Sequence, residues 1–309
     1  MAHILRIGTR GSLLAKTQTG MVADALRKTH PDLQVEIIEI LTSGDWKPQH
    51  GETRLMEAKG GKGQFAHEIE QRILSGEIDC GVHSLKDMPS FLPEGLQIDH
   101  FLPREDPRDV FVSFKYKSID DLPIGAVVGT SSLRRQAFLL LRRPDLKIVP
   151  LRGNVPTRLE KLSQEQVDAT FLALAGLKRL SLLGEGMNIL AEDEFLPACG
   201  QGIIGIETRE GDTKTAAFFD ALNCARTACE ATAERAVLQV LDGSCHTPVG
   251  AFAQLQDGVM QVRVQVAFPD GSASFADHQS GPVNILDEAR LLGQVLGHRI
   301  KARLPEGIL

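Results

Sequence analysis

Short apolar runs alternate along this chain with polar loops and amphipathic stretches. Residues 4–8 read as a strand, Thr9-Arg10-Gly11-Ser12 as a polar loop, and apolar positions three and four apart predict a helix over 13–28. A strand at 35–40, a long polar stretch from 42 to 62, a helix over 64–74 and a strand at 79–83 follow. The alternation then restarts, with strands at 110–112, 126–129, 147–149 and 170–173 and helices over 132–143 and 155–162. Strands separated by helices of this length predict largely parallel sheets with helices on their faces.

The pattern changes towards the C-terminus. A strand at 203–207 can return to the first sheet, and a helix is predicted over 225–241. Strands at 251–255 and 262–268, with turns at Asp257-Gly258 and Pro269-Asp270-Gly271, predict antiparallel hairpins before a last helix over 286–304. The charged, proline-containing 105–109 and the glycine-rich 196–202 punctuate the chain as crossings between domains. The expected fold class is α/β: a discontinuous first domain (1–104 and 201–222), a second (105–200) and a smaller α+β C-terminal domain (223–309) with a short antiparallel sheet.

Composition narrows the function. The 309 residues are 42% hydrophobic and 24% charged, which suits two or three globular domains. No apolar run approaches the roughly 18 residues of a membrane span, and the opening residues lack the pattern of a signal peptide, so a cytoplasmic protein is expected. Cys80, Cys199, Cys224, Cys229 and Cys245 are odd in number and form no CxxC pair. Reduced thiols are expected rather than a disulfide framework or a zinc ribbon. Cys245-His246 is a weak metal pair, because neighbours in an extended segment point apart, and no metal is expected. The net charge of -6 speaks against a nucleic-acid or anionic-membrane partner unless arginines are gathered in one place.

They are gathered. Arg10 precedes Gly11-Ser12, Arg134 and Arg135 follow Gly129-Thr130-Ser131-Ser132, and Arg152 precedes Gly153-Asn154 with Arg158 a helical turn further on. All lie where a predicted strand ends and a helix begins. In open α/β sheets ligands bind beyond the strand carboxyl ends, where helix N-termini present free N–H groups. Arginine adds a planar fork that grips carboxylate or phosphate. An anion site is expected. Opposite it stands His83-Ser84-Leu85-Lys86-Asp87-Met88-Pro89, in which Asp87 is either a turn former before proline or a carboxylate placed to hold a cation or move a proton. Cys245, in Gly243-Ser244-Cys245-His246, sits on a small-residue turn that gives a thiolate access to a ligand; a small buried hydrophobe is the alternative. The stretch 43–63, ending Gly60-Gly61-Lys62-Gly63, matches neither phosphate-loop spacing and reads better as a basic, glycine-hinged lid.

Taken in order, Ile7-Gly8-Thr9-Arg10-Gly11-Ser12, Gly60-Gly61-Lys62-Gly63, His83 to Pro89, Arg104-Glu105-Asp106-Pro107-Arg108-Asp109, Gly129 to Arg135, Leu151-Arg152-Gly153-Asn154-Val155 and Gly243-Ser244-Cys245 resemble the porphobilinogen deaminase (hydroxymethylbilane synthase) family from about residue 4 into the last domain. The resemblance implies two periplasmic-binding-protein-like α/β domains. It also implies an enzyme that joins porphobilinogen units head to tail with loss of ammonia and releases a linear tetrapyrrole. The cofactor it implies is a dipyrromethane primer held by thioether on Cys245. Asp87 then matches the catalytic aspartate that stabilises positive charge on pyrrole nitrogens. Lys86, Thr130, Ser131, Ser132, Arg134, Arg135 and Arg152 match cofactor-binding positions. Arg10, Ser12, Arg152, Arg158 and Gln201 match positions that bind the substrate's acetate and propionate groups. Gln201 and Arg235 fall in the matching hinge and third-domain helix. A monomer whose partner is the small-molecule substrate is expected. The chain departs from common family forms at Ser244, at Leu13-Leu14-Ala15-Lys16, at Ala58-Lys59 and around Trp46-Lys47-Pro48. The competing reading is a non-catalytic two-domain anion-binding protein, which needs neither a third domain nor an exposed thiol.

Overall fold

The first strand, β1 (Ile4–Arg10), buries Leu5 and Ile7 and carries its polar end outward to Arg10. Ser12 caps the helix that follows, α1 (Leu13–Thr29), by accepting a hydrogen bond from the Ala15 amide at 3.3 Å. Ala15, Gln18, Thr19, Val22, Ala23 and Leu26 form its buried face at three- and four-residue spacing. The computed structural model describes residues 4–42, 66–241, 248–305 and 308. The expected lid at 43–62 and Cys245 lie outside them.

Among the described residues the strands form three sheets. The first joins β1 to β2 (Gln34–Ile40), β3 (Cys80–Ser84), β4 (Leu96–Phe101) and β10 (Ile204–Arg209) in the order β2-β1-β3-β10-β4, with α2 (His67–Leu74) on one face. The second joins β5 (Asp109–Val112), β6 (Val127–Gly129), β7 (Lys147–Val149), β8 (Ala169–Ala173) and β9 (Met187–Ile189) in the order β7-β6-β8-β5-β9. Its helices are α3 (Leu133–Arg142), α4 (Val155–Ser163) and α5 (Leu174–Arg179).

The two sheets have the same plan. Three parallel strands are followed by one that runs against them, β10 in the first and β5 in the second, and then by an edge strand. The sheets are largely parallel, as expected, but each contains one reversed strand that the sequence did not reveal. The physical reason lies in the crossings. Each brings the chain into a sheet from the cleft side, at the strand carboxyl ends, so the strand it delivers can only run backwards.

The C-terminal part carries a three-stranded antiparallel sheet, β11 (Val249–Gln256), β12 (Val259–Ala267) and β13 (Ser274–Pro282). Asp257 and Gly258, at φ 49° and 76°, make its first turn. Alanines and valines of this sheet pack against α7 (Ala225–Val240) and α8 (Leu286–Lys301) in one core. A Cβ at Gly293 of α8 would strike the Ala233 carbonyl of α7, so glycine there sets how closely the two helices approach. A short helix, α6 (Thr213–Ala216), follows β10.

One buried ion pair joins all three parts. Arg104, at the first crossing, donates to Glu234 of α7 at 2.6 Å and to the carbonyl of Gln201, in the second crossing, at 3.0 Å. Glu234 also accepts from the amides of Gly200 (2.6 Å) and Ala253 (2.8 Å). Burial pushes the Glu234 carboxyl up, and Arg104 pulls against that. Gly200 and Gly202 hold φ of 70° and 87°, and a Cβ at Gly202 would strike the Glu105 carbonyl, so the two crossings run in contact. Among the described residues no helix is long and apolar enough to cross a membrane.

Candidate active site

At the end of β3 the chain makes a single 3-10 turn over Leu85–Asp87. Leu85 is buried and anchors the turn, its side chain lying where a Cβ on Gly200 would be, which leaves Lys86 and Asp87 beyond the strand ends. Asp87 shares one pocket with Arg10, Ser12, Gln18 and His83. Gln18 and Ser84 brace its wall through hydrogen bonds of 2.9 and 3.0 Å. The pocket therefore holds one arginine, one hydroxyl at a helix N-terminus and one carboxylate. It can accept an anion on the Arg10 side and a cation beside Asp87.

A hydrogen-bonded chain leads from this turn into the second sheet. The Lys86 ammonium donates to the side-chain amide oxygen of Gln201 at 3.3 Å. The Gln201 amide donates to the Pro107 carbonyl at 2.6 Å and to Asp109 at 3.2 Å. Asp109, the first residue of β5 and fully buried, receives Arg134 at 2.6 Å and the Nε and Nη2 of Arg135 at 3.0 and 2.6 Å. Their remaining Nη1 groups donate to the carbonyls of Leu196 and Phe171, both at 2.7 Å. Arg134 also lies over the rings of Phe138 and Phe195. Thus the forks of Arg134 and Arg135 are engaged by Asp109, whereas the sequence suggested forks waiting for a ligand.

The charges follow from this packing. Burial alone would raise the Asp109 carboxyl, but Arg134 and Arg135 hold it down at about 2. Burial pushes the Lys86 ammonium down to about 8, with Asp87 offsetting part of the effect. Two arginines and a lysine thus share one fully buried aspartate, with Asp87 at the edge. The excess is positive.

Local hydrogen bonds fix the start of α3. Ser132 accepts from the Arg135 amide at 3.4 Å, and the Thr130 hydroxyl accepts from the Ser132 amide at 3.1 Å. Beside them the Ser131 hydroxyl and the Arg134 Nε are buried with no hydrogen-bond partner. Unpartnered buried polar atoms are uncommon, and two next to an arginine pair suit the carboxylates of a bound group. After β7 Arg152 is buried, its carbonyl accepts from Lys161 at 3.1 Å, and Arg158 Nε donates to the Gly153 carbonyl at 2.9 Å. Gly176 of α5 lies beside Leu14 of α1 and Val155 of α4, near the capped ends of those helices. Arg235 of α7 donates to the Pro89 and Ser90 carbonyls at 3.0 and 3.2 Å, tying the third part to the segment just after Asp87.

Three groups of consequence went unread in the sequence. Asp109 looked like part of a charged crossing, although an acid opening the apolar run Val110-Phe111-Val112 is a signal of a buried partner. Arg179, at the end of α5, donates to the Gly202 carbonyl at 2.6 Å, and burial lowers it to about 10. Glu207, within β10, is fully buried and bonded to His83 at 2.9 Å.

The family described as porphobilinogen deaminase, dipyromethane cofactor binding domain, matches residues 5–217, and the porphobilinogen deaminase C-terminal domain matches 228–302. Porphobilinogen deaminase of Paracoccus denitrificans is 46% identical over 304 residues, covering 97% of this chain and 95% of that protein. The Thiobacillus denitrificans protein of the same name is 45% identical over 307 residues, covering 99% and 98%. Among solved structures, the periplasmic aliphatic sulphonate binding protein SsuA from Escherichia coli is similar at a TM-score of 0.42 and 16% identity, over 78% of this chain and 71% of that one. With both family regions matched in order and near-full-length identity to its relatives, the chain belongs to the porphobilinogen deaminase family.

Proposed function

We propose that this chain performs the family's reaction as hydroxymethylbilane synthase, a transferase that joins porphobilinogen units head to tail, releases ammonia from each and frees the linear tetrapyrrole by hydrolysis. The observation that carries the residue assignment is the pocket in which Asp87 faces Arg10 and Ser12 at the strand carboxyl ends. The dipyrromethane supplies, when bound, the pyrrole terminus on which the product grows. Cys245 is the residue we assign to its thioether. Thr130, Ser131, Ser132, Arg134, Arg135 and Lys86 are assigned to its carboxylates; the unpartnered Ser131 hydroxyl and Arg134 Nε fit that assignment.

Each residue has a definite task in this reading. Asp87 holds its negative charge where positive charge develops on a pyrrole nitrogen as the amine departs, so it stabilises the transition state more than the bound substrate. Arg10, Ser12, Arg152 and Arg158 bind acetate and propionate groups from the two walls. Lys86 gains most from an arriving carboxylate, because burial without a full counter-charge has weakened its hold on its own proton. Gln201 links it to Asp109, so that anion binding on one side is felt at the arginine pair on the other. The same reading divides the chain at 1–104 with 201–222, 105–200 and 223–309, and takes the enzyme as a cytoplasmic monomer.

Intact-mass measurement tests the assignment of Cys245. Protein made in cells that synthesise porphobilinogen is expected to exceed its sequence mass by the dipyrromethane, and Cys245→Ser to remove the excess together with activity. A fully active wild-type protein at the bare sequence mass overturns it.

A further inference from the structure

Behind the pocket wall lies a buried cluster that the reaction as described does not use. His83 of β3, itself a pocket-lining residue, bonds through Nε2 to Glu207 of β10 at 2.9 Å. Glu70 lies on α2, the helix packed over β3 and β10, close enough to feel the charges of His83 and Glu207, and all three residues are more than nine-tenths buried. One oxygen on each carboxylate, Glu70 Oε1 and Glu207 Oε1, meets no donor. Two carboxylates and one imidazole can supply at most one positive charge among them. The three are therefore neutral only while a further proton sits on one carboxylate, and a dry site disfavours the alternative.

The neighbours do not remove this need. Glu68, on the same helix, adds repulsion to Glu70. Arg209, further along β10, is occupied by the Ile73 and Ile78 carbonyls and by Asp212. Arg235 of α7 feels the charge of Glu207 but gives its hydrogen bonds to the Pro89 and Ser90 carbonyls.

We propose that the proton on Glu70, set beside the His83–Glu207 pair, governs carboxylate binding in the Asp87 pocket: without it one more negative charge behind the wall opposes the polycarboxylate. The inference rests on the reading of that pocket as a site for substrate carboxylates. Its working range is near neutral pH. Burial, reinforced by the charge of Glu207 and partly offset by His83, lifts the Glu70 carboxyl to about 7.

Two measurements on the holoenzyme test it. The Glu70 side-chain carboxyl, followed by carbon-13 NMR, is expected to titrate near 7, and Glu207→Gln to lower its midpoint by about one pH unit. If that variant does not fold, His83→Gln serves instead and is expected to raise the midpoint. The second measurement is KM for porphobilinogen across neutral pH in wild type and in Glu70→Gln, which mimics the protonated acid. The wild-type-to-variant ratio should climb about threefold or more as pH rises from about 6 to about 8. A purely structural role leaves that ratio flat. Titration of Glu70 in the ordinary carboxyl range, or a flat ratio, overturns the proposal. Arg10→Ala separates the two claims: if it leaves KM unchanged the pocket reading itself is wrong, and if it raises KM while the ratio stays flat only the proton linkage fails.

Discussion

Asp109 and Glu207 occupy equivalent strands. Each lies on the strand that runs backwards into its sheet, β5 in the second and β10 in the first, and each is completely buried. Their surroundings have opposite sign. Asp109 is outnumbered by Arg134, Arg135 and, through Gln201, Lys86. Glu207 meets one histidine and a second carboxylate, Glu70. The same backbone plan thus builds a permanently cation-rich wall on one side of the cleft and, on the other, a wall whose charge depends on a proton. Asp87 and Arg10 stand in front of the second. A buried carboxylate is therefore not one kind of feature, because its partners decide whether it fixes arginines or stores a proton.

The largest effect should come from the group in front of both walls. Asp87→Ala is expected to lower turnover by about a hundredfold to a thousandfold with KM nearly unchanged, as for loss of a group acting mainly on the transition state. Asp87→Glu should keep a little activity. Steady-state kinetics decides, and near-normal turnover in Asp87→Ala would return the residue to a turn-forming role.

Next is the arginine side of the comparison. Asp109→Ala leaves two buried guanidinium groups without their counter-charge and should destabilise the fold by about 3–5 kcal/mol, read from urea unfolding. The sign with pH follows from a carboxyl held down at about 2. Its stabilisation is complete above the ordinary aspartate range and is lost as pH falls through that range towards 2. A variant as stable as wild type at neutral pH would show that the pair contributes nothing.

On the carboxylate side the sign reverses. Glu70 has a raised carboxyl, so its ionisation costs stability: nothing below the ordinary glutamate range, the full amount above about 7. Glu70→Gln should therefore stabilise the protein by about 1–2 kcal/mol at alkaline pH and by nothing near pH 4. Thermal melts along a pH series would show the gain growing with pH. A gain that shrinks instead would mean that Glu70 is held ionised.

The smallest effect belongs to Lys86, whose lowered ammonium costs stability below about 8, a cost that fades towards its ordinary range. Lys86→Met should stabilise the resting protein at neutral pH by up to about 1 kcal/mol, the gain disappearing as pH rises, while weakening substrate binding. Glu70, beside the His83–Glu207 pair, and Lys86, which reaches the arginine pair through Gln201, would then show opposite pH trends. Parallel trends would break the contrast drawn between the two buried carboxylate clusters.

Much of the fold was legible in local pattern. The helices α1, α3, α4 and α7 lie within a residue or two of their expected spans, because caps such as Ser12, Ser132 and Asn154 and the apolar spacing act within a few residues. Strands β4, β9 and β13 were not read. β9 and β13 are edge strands with little buried on either face, so they carry almost no apolar signal. Strand direction in β5 and β10 was also missed, since an apolar run looks the same whichever way it enters a sheet.

The residue types of the site were a property of the sequence: arginines, hydroxyls and Asp87 at strand ends, and the ordered motifs that mark the family. What each arginine touches was not. Only folding brings Asp109 within 2.6 Å of two arginines some 25 positions further along, and Glu207 within 2.9 Å of a histidine 124 positions earlier. Local sequence sets what a side chain can do, through its chemistry and its nearest backbone. Burial and long-range partners set its charge state, because desolvation and Coulomb energies depend on distances that only the tertiary structure fixes.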